Sequence, residues 1–260
     1  MAATNNKQTG GAMFLVGIGP GDPRLLTQYA LDVLGSVDAV FGYELYLNLL
    51  RPLLPDLDYR PSAITQEERR ARDAVQFAIA GRRIALVGSG DAGVYGLAGL
   101  AFEILEELGQ HDLPVEVVPG VTAAVSAAAL LGAPLGHDFC AISLSDLLTP
   151  WGAIERRLEA AAAADFVTVL YNPASSRRRK QLSEARRIFL QHRRPDTPVG
   201  LVANAFRTGQ CVRTSTLLEL PEDAVDMLTT VIIGNSTTRT WNQRLITPRG
   251  YFGPVSEATR

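Results

Sequence analysis

Apolar residues recur along this chain in two rhythms that alternate. Short, mainly apolar runs at residues 13–16, 39–41, 84–87 and 115–118 read as buried strands. Between them the apolar positions return every three or four residues. Leu26, Tyr29, Ala30, Val33, Leu34 and Val37 form one such set. Ala71, Ala74, Val75, Ala78 and Ile79 form a second, and Leu97, Leu100, Ala101, Ile104, Leu105 and Leu108 a third. Each set shares one face of a helix. Asp22 followed by Pro23 supplies an N-cap and first-turn pair for the first helix. The small-residue stretch 121–131 adds another helix after the fourth strand. Strand–helix alternation of this kind predicts an α/β domain with a mainly parallel sheet.

Glycine and proline cluster at Gly132, Pro134 and Gly136, between two patterned regions, and mark the expected boundary. Beyond it the rhythm restarts with strand 140–144, helix 154–163, strand 166–171 and a basic helix at 175–191. Further strands are expected at 198–203, 210–216 and 229–233, some at hairpin-like spacing, so the second sheet should be mixed. The expected organisation is a tail at 1–12, an N-terminal α/β domain at 13–133, a C-terminal α/β domain at 137–250 and a tail at 251–260.

Composition narrows the functional classes. With 47% hydrophobic residues in 260, the chain can bury a full core. A formal net charge of −2 gives no support for a broad nucleic-acid surface. Arg177, Arg178, Arg179 and Lys180 form a basic run that reads first as a solvated helix face. Cys140 and Cys211 lack any CxxC partner, so no zinc site is indicated and two half-buried reduced thiols are expected. No apolar run has the length of a membrane span, and the polar N-terminus lacks a signal pattern, which points to the cytoplasm.

The chemistry-bearing signal lies in two glycine-rich loops that follow strands. Residues 88–96 read Gly-Ser-Gly-Asp-Ala-Gly-Val-Tyr-Gly, and Gly88, Gly90 and Gly93 spell the dinucleotide pattern GxGxxG. Asp91 opposes that reading, because a carboxylate inside a pyrophosphate cradle would repel the ligand. The next strand ends on Val118 and Pro119 and offers no ribose-binding acid. The first loop, 17–22, has Asp22 where the pattern needs its third glycine. No GxxxxGK[ST] is present, so nucleotide triphosphates have no support either. A loop with close backbone approach and one fixed negative charge suits a small cationic ligand, such as a sulfonium. For each loop alone, tight strand–helix packing is an equally good explanation.

Four segments occur in order: VGIGPGDPRLLT at 16–27, GSGDAGVYG at 88–96, PGVTAA at 119–124 and LYNP at 170–173. Together they resemble the tetrapyrrole (uroporphyrinogen and precorrin) methyltransferase family, class III, over residues 13–250. GSGDAGVYG, with YELYL at 43–47, VLYNPASSRRR and VIIGNSTTR, is most similar to the members that methylate precorrin-3B at C-17 and contract the ring to precorrin-4 in cobalamin biosynthesis. The resemblance implies a homodimer and two α/β domains holding S-adenosylmethionine in the cleft between them. Carried over by position, Pro20 lies near the cofactor in the first loop, and Gly88, Gly90, Asp91 and Val94 belong to the loop that wraps the methionine moiety. Thr122, Ala123, Tyr171, Ala203 and Thr230 surround the adenosine. Methyl transfer needs alignment, whereas ring contraction also needs an acid or base near the C-20 hydroxyl. Asp91, Tyr95, Glu44 and His137 are the candidates, with Tyr43 and Tyr46 behind them; Glu44 can instead pair with Arg51. Arginine suits the acetate and propionate arms of a precorrin, which brings in Arg24, Arg51, Arg177, Arg207 and Arg239. No protein-bound metal is expected. Three alternatives remain: another precorrin or cobalt-factor methyltransferase of the same fold, including the cobalt-dependent C-17 counterpart; a nicotinamide-dependent oxidoreductase; and a non-catalytic nucleic-acid-binding module using the basic run.

Overall fold

The computed structural model describes residues 10–175 and 178–252, and its internal contacts divide the chain into two units, residues 1–122 and 123–260. Both expected tails fall largely outside the described residues, as does Arg177.

The first unit runs β1 (Ala12–Gly17), a 3-10 turn (Pro23–Leu25), α1 (Gln28–Leu34), β2 (Ala39–Tyr43), α2 (Glu44–Leu50), β3 (Tyr59–Ser62), α3 (Glu67–Ile79), β4 (Arg83–Gly88), α4 (Ala98–Glu107) and β5 (Val115–Val118). Its five strands pair in the order β3-β2-β4-β1-β5, all parallel. The alternation of side chains along β1 separates two cores. Met13 and Leu15 meet Ala74, Val75 and Ile104 of α3 and α4, while Phe14 and Val16 meet Val33, Leu34 and Leu47 of α1 and α2. A strand covered on both faces has to be apolar throughout, which is why β1 shows no polar alternation.

Local details differ from the pattern. Asp22 caps the 3-10 turn, and the cap of α1 is Thr27, whose Oγ1 accepts from Ala30 N at 3.1 Å. β3, with the sequence Tyr-Arg-Pro-Ser, was not expected. It is an edge strand, where proline is tolerated and no apolar run is required.

The second unit contains α5 (Ala123–Leu131), β6 (Gly132–Ala133), β7 (Phe139–Ser143), α6 (Trp151–Ala163), β8 (Val167–Tyr171), α7 (Lys180–His192), β9 (Pro198–Ala203), β10 (Cys211–Thr216), β11 (Thr229–Ile233), β12 (Arg239–Trp241) and β13 (Arg244–Ile246). Its main sheet has the order β10-β9-β11-β8-β7. Only β7 and β8 are parallel, and β11, β9 and β10 run antiparallel to their neighbours, so the sheet is mixed. α6 and α7 cover one face through Ile154, Leu158, Ile188 and Phe189. α5 covers the other, where Ala124, Ala127 and Leu131 meet Val169, Val202 and Ile232. The helix assigned by pattern to the first domain thus packs in the second, and the division falls at Thr122 rather than near Ala133. An alanine-rich helix that is apolar all round does not announce its partner. Gly132 and Ala133 are no linker, since they pair with Leu245 and Ile246 of β13.

One buried cation ties α6, β8 and β11 together. Arg193, its side chain 2% exposed, pairs with Asp165 at 2.7 Å. It also donates to the carbonyls of Ala161, Ala162, Phe166 and Gly234 at 3.0–3.2 Å. Replacing it by methionine strands these acceptors while nearly preserving volume. Arg193→Met is expected to cost the second unit about 3 kcal/mol or more, read from the midpoint of urea unfolding.

Candidate active site

β4, β1 and β5 are neighbours, so the loops after them leave one edge of a parallel sheet, the edge where such folds bind ligands. Here the loops touch backbone to backbone. Ile18 N donates to Gly88 O at 3.0 Å and Gly19 N to Gly90 O at 2.9 Å. A Cβ on Gly19 would lie 2.2 Å from Gly90 Cα, and one on Gly120 would lie 2.3 Å from Gly90 O. On Gly17 it would come within 2.8 Å of Gly120 N. Only glycine permits these contacts.

Asp91 locks the junction. Its Oδ1 accepts from Gly93 N at 2.8 Å and its Oδ2 from Gly120 N at 3.0 Å. The carboxylate expected to face a cationic ligand therefore also bridges its own loop to the loop after β5. Gly88 differs from the junction glycines, because a Cβ there would meet nothing within 4 Å. The junction is thus closed on one side and open beside Gly88. Val94 and Tyr95 project from the same loop, 38% and 53% exposed, Tyr95 with a left-handed φ of 52°.

The structure accordingly gathers Pro20, Gly88, Gly90, Asp91 and Thr122 around one edge of the first sheet. Glu44 begins α2, after β2, and Arg51 donates to it at 3.3 and 3.4 Å, as its spacing suggested. Tyr43 and Tyr46 meet edge to face, with ring centroids 5.3 Å apart. Arg24 is paired with Asp22 at 2.7 Å, and its hydrogen bonds hold that carboxyl down at about 2.

In the second unit the register brings three distant positions to one edge. Ser143 lies opposite Tyr171, Val231 opposite Leu170, and Thr229 opposite Ala203. Buried Thr230 thus falls beside Tyr171 and opposite Val202, and Ala203 ends β9 one residue further on. The Tyr171 hydroxyl accepts from Ala124 N at 2.9 Å, which serves an orphan donor at the start of α5 beside Ala123. Arg207 follows β9 in a turn closed onto Asn204, and Arg239 opens exposed β12. His137 stands apart: it precedes β7, at the opposite end of the strand from Ser143. There it accepts from Asp138 N at 2.8 Å and lines a concavity of about 370 Å³ with Asp165 and Arg249.

Two expectations need correction. Arg178 is not on a solvated face, since it donates to Leu144 O and Asn172 O at 3.2 and 3.4 Å. Carbonyls freed at strand ends drew in a guanidinium that the charge pattern alone would leave in water. Of the cysteines, only Cys140 is half-buried, with burial pushing its thiol up, whereas Cys211 at the start of an edge strand is exposed. Ser143 was missed as a site neighbour: its Oγ accepts from Asn172 Nδ2 at 3.0 Å, a link between two strand ends with no local sequence signal.

A parallel α/β sheet with a glycine junction, followed by a mixed sheet with Tyr171 and Thr230 side by side at one end, defines a two-unit α/β protein with loops gathered at strand ends. The chain belongs to the tetrapyrrole (corrin/porphyrin) methylases, whose family model matches residues 13–221. It is 47% identical over 244 residues to a cobalt-factor III methyltransferase of Priestia megaterium, an alignment covering 93% of this chain and 45% of that protein. The chain thus spans about half the length of that relative. With a probable cobalt-factor III C(17)-methyltransferase of Salmonella typhimurium it shares 43% over 237 residues, covering 91% of this chain and 98% of that one. Among solved structures, the methyltransferase CobJ superposes with a TM-score of 0.87 at 35% identity, covering 92% of this chain and all (100%) of that one. The uroporphyrin-III C-methyltransferase of Thermus thermophilus, in complex with S-adenosylhomocysteine, superposes with a TM-score of 0.66 at 28% identity, covering 86% and 97%. Among the described residues, no helix is long and apolar enough to cross a membrane.

Removing the Asp91 brace leaves the Gly93 and Gly120 N–H groups without their acceptor. Asp91→Ala is expected to lower stability by about 2 kcal/mol or more, and Asp91→Asn, which keeps one acceptor, by less. Thermal unfolding of the two variants beside the parent checks the order.

Proposed function

We propose that this chain methylates C-17 of a cobalamin-pathway tetrapyrrole with S-adenosylmethionine and contracts the macrocycle in the same reaction. The reading rests on the glycine junction beside open Gly88, in a chain 47% identical over 244 residues to a cobalt-factor III methyltransferase. Two substrates fit it: metal-free precorrin-3B and its cobalt-containing counterpart. The names of both relatives favour the cobalt form.

The residues present suit the cofactor. Space beside Gly88 admits a ligand chain against bare backbone, and half-exposed Val94 offers an apolar wall. Pro20, Gly88, Gly90 and Val94 would hold the methionine end. Thr122, Ala123, Tyr171, Ala203 and Thr230 would hold the adenosine. S-adenosylmethionine, when bound, supplies a methyl group already activated by its sulfonium. What the chain adds is alignment, which can lower a barrier by ~7–11 kcal/mol in favourable systems. Asp91 acts in this scheme by holding two loops in register and by leaving one negative charge next to the cationic ligand.

Ring contraction requires a group that takes a proton from a hydroxyl. Both Asp91 oxygens already accept backbone N–H groups, and Glu44 is paired with Arg51. His137 lies at the other end of its sheet. Tyr95 projects half exposed from the loop that carries Gly88 and Asp91, and its hydroxyl is the group we assign to that proton. Arg24 and Arg51 sit in exposed ion pairs worth little in water, so either can exchange its partner for a substrate carboxylate at small cost. Arg207 and Arg239 are further candidates.

Parallel incubation of the protein and S-adenosylmethionine with metal-free precorrin-3B and with cobalt-factor III tests the reading. The expected product carries one added methyl group and the absorption of a contracted ring. A methylated but uncontracted product would remove the contraction, and methyl transfer to neither would remove the function. Tyr95→Phe is expected to keep S-adenosylhomocysteine affinity while the contracted product forms at least about a hundredfold more slowly. Rapid quench with mass analysis distinguishes a lost proton step from lost binding.

A further inference from the structure

The loop between β7 and α6 has a pinned stem and an apolar tip. At the stem, Leu144 is fully buried and its N–H donates to Tyr171 O at 2.9 Å. Arg178 donates to Leu144 O at 3.2 Å, Ser145 N to Ser143 Oγ at 3.3 Å, and Gln181 Nε2 to Asp146 Oδ2 at 2.9 Å. Pro150 then caps α6 and closes the loop. At the tip, Leu147 and Leu148 are 77% and 98% exposed. Two adjacent leucines standing in water on so well anchored a loop call for an apolar surface to cover them.

Position and charge identify the occupant. The loop leaves the carboxyl end of β7, the same edge as Tyr171, Ala203 and Thr230. Its stem is bonded through Arg178 and Gln181 to the segment that carries exposed Arg179 and Lys180. An apolar pair on a loop joined at its stem to a segment with two exposed cations is complementary to an apolar ring with a rim of carboxylates. We propose that Leu147 and Leu148 bind the face of the tetrapyrrole substrate and set its position, while Arg179 and Lys180 meet its carboxylate arms. This rests on the methyltransferase reading above and adds to it the residues that select a polycarboxylate macrocycle.

Because both leucines are exposed, replacing them leaves the core untouched. The test compares the parent with Leu147→Ser/Leu148→Ser, titrating S-adenosylhomocysteine and measuring KM and kcat for cobalt-factor III or precorrin-3B, whichever the parent methylates. The expected result is unchanged S-adenosylhomocysteine affinity, unchanged thermal stability and a KM raised about thirtyfold or more, two buried leucines being worth at least that factor. Arg179→Ala/Lys180→Ala should raise KM about tenfold, and less at high salt. Unchanged KM in the leucine variant overturns the inference and leaves the function intact. A parent that methylates neither tetrapyrrole overturns both. Flotation of the parent, but not the variant, with phosphatidylglycerol vesicles would reassign the tip to a lipid surface. A parent dimer that the variant loses in sedimentation would reassign it to a second copy of the chain.

Discussion

The first sheet can present a ligand edge only because three of its loops approach one another without side chains. Neighbouring parallel strands lie just under about 5 Å apart, so the turns that leave them at one edge must either diverge or pack backbone on backbone. At Gly17, Gly19 and Gly120 they pack, and a single methyl group at Gly19 would have to pass within 2.2 Å of Gly90 Cα. Close packing of peptides leaves backbone donors at the junction that need acceptors. Asp91 supplies two. The same act explains why a sequence that spells GxGxxG makes no pyrophosphate cradle: Gly93 and Gly120 have already given their N–H groups to a carboxylate. The glycines act mainly on each other, and the ligand is left with the open side at Gly88.

The second sheet solves a different problem. Its two edges carry opposite kinds of chemistry. At the amino-terminal end of β8, Arg193 is buried in a ring of carbonyls and pairs with partly exposed Asp165, to which Ser236 donates from the segment after β11. That end is fixed by charge. At the other end the side chains are small or neutral, namely Ala203, Thr230, Ser143 and the Tyr171 hydroxyl. A buried charge is expensive to move, whereas a neutral edge can accept a ligand without first breaking an ion pair. The buried cation is thus kept at one end, while the charges at the other, such as Arg178 on the carbonyls of Leu144 and Asn172, lie outside the strands.

How far the sequence carried these conclusions depended on the range of the interaction involved. β1 and β4 were legible because strands covered on both faces are apolar throughout, and no other short element is. β3 was not, since Tyr-Arg-Pro-Ser at an edge has no pattern to read. Nor was the β12–β13 hairpin, whose turn places Asn242 and Gln243 at φ of 48° and 60° without the usual glycine. α5 was found but given to the wrong unit, because alanines on every face fit either sheet. The loop of Asp91 was located from its glycines, yet the partner that decides its role, Gly120, lies 29 residues away. The resemblance to tetrapyrrole methyltransferases identified the family; it could not say that Asp91 spends both oxygens on its own backbone.

That last point bears on how a nearly neutral chain would handle the polyanionic substrate proposed for it. Neither ligand edge holds an uncommitted buried charge among the residues assigned to it: Asp91 is engaged with backbone, Glu44 with Arg51, and Asp22 with Arg24. Attraction for carboxylate arms must then come from exposed cations around the edges, where each contributes little but none has to be desolvated in advance. Affinity for the macrocycle itself must come from apolar contact, which is insensitive to salt and to protonation. A chain built this way separates the two tasks. In the proposed reaction, charge would steer and orient the rim of the ligand, and small or apolar residues would hold its ring.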